Sequence, residues 1–117
     1  MDEWVTNGVV PPKAARIETK DGALVIDEFG HAAGGVRNPW VDAPLETTVT
    51  SSPGPGTCRE LGHAIPFEAA RISGLYPSAK DRASKVNDSV DRAVRVRYFT
   101  ETDGKKMKLI LTKDVGN

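Results

Sequence analysis

Side chains able to do chemistry gather in one short run, Gly34-Gly35-Val36-Arg37-Asn38-Pro39-Trp40-Val41-Asp42-Ala43-Pro44. Arg37 offers a guanidinium that can grip a substrate carboxylate, and Trp40 an indole that can lie against an acyl chain. Asp42 adds a carboxylate, but without a partnered histidine it is only a charge. Gly34 and Gly35 permit positive φ or the close approach of another segment. Pro39 and Pro44 fix φ and push Asn38 and Ala43 toward extended geometry. With neither helical nor strand periodicity, the run reads as a stiff, irregular loop at the mouth of a larger fold. Arg37 and Trp40 are therefore candidate substrate-binding residues. The plainer role is favoured: Arg37 pairs with a carbonyl or acid and Trp40 fills a gap, since irregular buried loops need such anchors.

Other reactive groups are few. Cys58 is the single cysteine, which excludes an internal disulfide and a cysteine-based zinc cluster. It reads as a small hydrophobe or an ordinary thiol; catalysis would require a histidine in reach and a lowered pKa. His31 follows Phe29-Gly30 in a turn-like stretch, and His63 lies between Gly62 and Ala64. Both are expected to be loop or surface histidines, and their separation gives no metal-ligand spacing. No G-x-S-x-G occurs, and Ser73-Gly74 lies inside a helix-like pattern with no strand before it. The expectation is no catalytic residue, no metal and no cofactor.

Length and composition narrow the classes. The chain of 117 residues suits one domain at most. Its apolar share of 38%, with 11 glycines, leaves little side-chain material for a core. Sixteen basic and 16 acidic residues cancel, and no aromatic interleaving marks a nucleic-acid module. No run reaches the ~18–20 apolar residues of a membrane span. The acidic first residues form no signal peptide, so the default expectation is a soluble, cytoplasmic chain.

The elements that must position these groups divide near Pro66. Residues 1–65 form a loop-rich segment with short strands; residues 66–117 form a helical segment; together they read as one incomplete domain. Asp2 to Thr6 is a last helical turn stopped by Asn7-Gly8. Ile17 to Glu28 is a hairpin around Asp21-Gly22, and Leu45 to Thr50 is a third strand. Ser51 to Thr57 is a flexible loop. Phe67 to Leu75 is a helix stopped by Tyr76-Pro77. Ser78, with Asp81 three residues on, caps a long amphipathic helix reaching about Arg97. Its Arg82, Lys85, Arg92 and Arg95, together with Arg97, interleave with aspartates as a solvated face. Thr100 caps a last helix whose apolar side is Met107, Leu109, Ile110 and Leu111 and whose start Gly104 weakens. The fold class is α+β, a loop-rich half with a β-hairpin followed by two or three helices.

Several runs occur together in an order that resembles the C-terminal part of a large bacterial family of alpha/beta hydrolase domain-containing proteins. They are Asp2-Glu3-Trp4-Val5 through Pro11-Pro12, the Asp21-Gly22 hairpin, and Gly34 to Pro44. Cys58-Arg59-Glu60-Leu61-Gly62 through Pro66-Phe67 and Leu75-Tyr76-Pro77-Ser78 complete the set. The resemblance spans nearly the whole chain, Asp2 to about Lys113. It implies hydrolysis of an ester-like bond by a serine nucleophile with an acid and a histidine. This chain holds no such elbow or triad, so the resemblance implies a fragment, inactive alone, whose partner is the missing N-terminal catalytic portion. Met1 falls where such a parent chain would be mid-helix. Two other readings stay open: a small stand-alone binding or interaction module without activity, and an enzyme using Cys58 or His63 without the family triad.

Overall fold

The computed structural model describes residues 2–113; Met1 and residues 114–117, the end of the second segment, lie outside it. Among the described residues, five helices and two small antiparallel sheets make an α+β architecture. The helix α1 (Asp2–Asn7) ends as its sequence dictates, with Gly8 at φ +70° and its amide donating to Trp4 O at 3.1 Å. Strands β1 (Thr19–Lys20) and β2 (Ala23–Leu24) flank Asp21 at φ +52° and Gly22 at φ +80°, the two positive angles of a primed hairpin turn. Both strands are only two residues long. Single antiparallel bridges, Ile17 with Gly34 and Ile26 with Ala32, bring the following segment back alongside the hairpin.

After a short helix α2 (Pro39–Asp42), strand β3 (Glu46–Val49) occupies the expected third-strand position. Its partner is β4 (His63–Pro66), with Glu46 opposite Pro66 and Val49 opposite His63. That strand has no counterpart in the sequence reading, because His-Ala-Ile-Pro has too few β-branched residues to signal one. Between them the Pro-Gly loop winds into a 3₁₀ turn over Gly56–Glu60.

The helical half holds the core. Helix α3 (Ala69–Leu75) leads to α4 (Ala79–Arg95), which begins at the expected capping box. There Ser78 Oγ accepts from Asp81 N at 3.3 Å and Asp81 Oδ2 accepts from Ser78 N at 2.8 Å. The helix stops two residues short of the expected Arg97, which turns left-handed at φ +67°. Thr100 Oγ1 accepts from Asp103 N at 3.1 Å and opens α5 (Glu101–Lys113). Val86 and Val90 of α4, Leu111 of α5, Tyr76 and Ala43 form the buried cluster.

Two expectations change here. Gly104 was expected only to weaken α5, yet it is buried, and a Cβ there would lie 2.8 Å from Val94 Cγ2 and 3.1 Å from Val90 Cγ1. Its missing side chain lets α5 approach α4. Arg82, expected on a solvated face, is 3% exposed and donates to Ala43 O at 3.3 Å and Leu111 O at 2.7 Å. Carbonyls near two helix C-termini draw the guanidinium inward, where hydrogen bonds offset its lost hydration.

Candidate functional site

The turn before the loop is built by Asp27. Its carbonyl accepts from Gly30 N at 3.1 Å, and its Oδ1 accepts from Phe29 N and His31 N at 2.9 and 3.0 Å. Gly30 sits at φ +80° against Thr47 of β3, whose Oγ1 donates to Phe29 O. The turn therefore drives His31 inward: it is 7% exposed, and neither ring nitrogen has a hydrogen-bond partner among the described residues. The expectation of a loop or surface histidine is corrected in its second half. The pattern Asp-x-x-Gly was the available signal, since it marks a turn that returns the next residue to the body of the fold.

Next come Gly34 at φ +78° and Gly35 at φ +70°. A Cβ on Gly34 would meet Arg16 O at 2.5 Å, so both the angle and the close approach require glycine there. The expected irregular run is interrupted by one helical turn. Asn38 Oδ1 accepts from Val41 N at 3.2 Å and Pro39 takes the first position of α2.

That turn delivers Asp42 to α4. Arg37 Nε donates to Asp42 Oδ1 at 3.1 Å, Ser89 Oγ donates to Asp42 Oδ2 at 2.5 Å, and Arg92 Nη1 lies 3.7 Å from Oδ2. Asp42 thus ties the loop to the long helix while holding Arg37 through Nε, which leaves the Nη groups outside that pair. Trp40, 49% exposed, stands between three hollows. One, of about 450 Å³, runs from Trp40 to His31 beneath Gly34–Val36. Another, of about 380 Å³, lies between Trp40, Phe99 and Ile110. On the far side of the turn, Arg71 Cζ lies 4.3 Å from the Phe67 ring centroid and 5.5 Å from that of Phe29.

A family model described as "Alpha/beta hydrolase domain" matches residues 1–108, nearly the whole chain. The chain belongs to that family. Comparison with curated proteins and with solved structures returned no match.

Hydrolases of this family name invite a search for a nucleophile beside a base. In this alpha/beta hydrolase domain the nearest arrangement is Ser52 with His63, Oγ to Nδ1 at 3.0 Å. Ser52 Oγ also lies 2.7 Å from Leu61 O, so the carbonyl competes with His63 Nδ1 for the one proton of the hydroxyl. A general base must take that proton itself, and this pair stands exposed on the surface. Cys58 is exposed on the 3₁₀ turn. Among the described residues, no group of three His, Cys, Asp or Glu side chains could hold a metal, and no helix is long and apolar enough to cross a membrane.

Proposed function

We propose that this chain is the C-terminal part of a serine-esterase-type alpha/beta hydrolase. In this reading it seats the Gly34–Pro44 loop beside an active site built by another segment, and alone it hydrolyses no ester. The observation that carries it is the apolar surface of the loop-rich half. Ile17, Leu24, Ile26, Val36, Trp40 and Ile65 are each close to half exposed or more. Three of them, Ile17, Val36 and Trp40, line one hollow, and apolar surface gathered in that way ordinarily faces a partner. The chain is also spread out, with a radius of gyration of 16.7 Å where a compact domain of this length has about 13 Å. The absence of a G-x-S-x-G, and the Leu61 carbonyl that competes with His63 for the Ser52 proton, support a catalytic centre located elsewhere. Arg37 and Trp40 then serve to contact substrate at the rim, with Asp42 fixing the angle of Arg37.

The test joins an activity assay to a state assay. p-Nitrophenyl butyrate should be cleaved at the background rate, unchanged by Cys58→Ala or His63→Ala. Saturable cleavage lost in either variant overturns the reading and supports the Cys58 or His63 enzyme. The chain should also bind an apolar dye and self-associate on size exclusion. A dye-silent monomer with one sharp melting transition would favour the stand-alone module, whose closed helical core is its own support.

A further inference from the structure

Where the Gly34–Pro44 loop touches α4, two arginines share one carboxylate. Arg37 Nε donates to Asp42 Oδ1 at 3.1 Å, and Arg92 Nη1 lies 3.7 Å from Oδ2. Among the described residues neither arginine has a second ion pair, and Asp91, the residue before Arg92, is taken by Lys108. Two positive charges against one negative leave a surplus of one. Asp42 is further committed, because Oδ2 also accepts from the buried Ser89 at 2.5 Å. Of the three guanidinium nitrogens of Arg37 only Nε is hydrogen-bonded, so both Nη groups are unspent. The two arginine side chains are 38% and 58% exposed, open enough for a ligand to reach.

We infer that Arg37 and Arg92 together bind the carboxylate of a small organic acid, so that the ester met by this loop is one that also carries a free carboxylate. The second half of that statement rests on the proposed seating of the loop beside an active site. Charge decides the class. A carboxylate supplies the single negative charge that the cluster lacks, and its two oxygens match the paired N–H groups at the end of a guanidinium fork. A neutral ligand leaves the surplus unanswered, and a cation is repelled by it. Arg37 is also aimed in advance. Asn38 caps the turn that delivers Asp42, Ser89 holds Asp42, and Asp42 holds Nε, so the free edge of Arg37 loses little side-chain freedom on binding. Arg92 acts by its charge, and at its exposure it contributes the smaller share.

Benzoate and benzamide, alike in size and shape but not in charge, separate the possibilities. In the full chain labelled with nitrogen-15, benzoate should bind saturably and shift the Arg37 Nε–H NMR signal, identified by its loss in Arg37→Lys. It should bind about three- to tenfold tighter than benzamide. Raising salt from about 0.01 to about 1 M should erase most of that preference and leave benzamide unmoved. Arg37→Gln should abolish the preference, and Arg37→Lys should keep part of it, since the charge stays and the fork goes. Arg92→Gln, at an exposed position where folding is not at stake, should weaken benzoate about two- to threefold. Lys20→Gln, which removes an exposed cation on the hairpin, should change nothing. Equal affinity for the two probes overturns the inference, as does the absence of saturable binding. So does a preference that survives either high salt or both Arg37→Gln and Arg92→Gln. Each of those failures leaves the esterase reading standing. Cleavage of p-nitrophenyl butyrate by this chain alone would instead overturn that reading, and with it the ester, while benzoate binding still reports on the carboxylate site.

Discussion

Leu111 on α5 and Leu24 on β2 are the same side chain in opposite circumstances. The first is 5% exposed inside a cluster shared by α4, α5 and Tyr76; the second is 48% exposed on a two-residue strand. The helical half is shaped by side chains packing against side chains. The loop-rich half is shaped by turns: Asp21-Gly22, the Asp27 carboxylate, and the close-packed Gly34 and Gly35. The difference shows where each half gets its definition. One half carries its own apolar interior, whereas the other holds a backbone course and leaves its apolar side chains for something else to cover.

Substitutions can sharpen that contrast or break it. The largest effect should come from Leu111→Ala, which should cost about 2–5 kcal/mol in chemical denaturation. Leu24→Ala should cost under about 1 kcal/mol, because most of that side chain's transfer from water has not occurred. Equal losses would mean the loop-rich half is as well packed as the helices. Asp42→Ala comes next, at about 1–3 kcal/mol, since it removes the acceptor of Ser89 and unpairs Arg37. Arg92 is more than half exposed and adds little. A double-mutant cycle with Ser89→Ala should show coupling of about 0.5 kcal/mol or more; simple additivity would mean the loop is not fastened to α4 there.

Tyr76→Phe should follow, at about 1 kcal/mol, by deleting the 2.8 Å bond from its hydroxyl to Pro44 O. It should also change the alkaline limb. Burial pushes the Tyr76 phenol above its ordinary 10.0, and the charge of Arg82 opposes that without cancelling it. The fold therefore holds this proton more tightly than the unfolded chain does. That stability is complete below pH 10.0 and fades as pH rises through the raised value. Thermal melting of Tyr76→Phe between neutral and strongly alkaline pH should fall less steeply than that of the parent chain.

Local chemistry made several elements legible in advance. Asp-Gly specified a hairpin, Ser78 with Asp81 specified a helix start, and Asn7-Gly8 specified a helix stop, because each works through neighbouring backbone atoms. The ordered runs from Trp4 to Tyr76 also pointed to the hydrolase domain family, which the match over residues 1–108 shows. What escaped depends on distant partners. Arg82 reads as a surface charge until the carbonyls of Ala43 and Leu111 are brought to it. Gly104 reads as a helix weakener until Val90 and Val94 are placed against it. Strand β4 is defined by β3 rather than by its own residues. The burial of His31 lay between these cases, since Asp27 and Gly30 signal the turn but not what the turn packs against.

Arg82 also sets an order of events during synthesis. Two of its acceptors, the carbonyls of Ala43 and Leu111, are 68 positions apart (111 less 43). At about 5–20 residues per second, the ribosome needs roughly 3–14 s to pass from one to the other. Until Leu111 is made, the guanidinium clamp that joins the Gly34–Pro44 loop to the last helix cannot close, so that fastening comes only after the loop itself has been made.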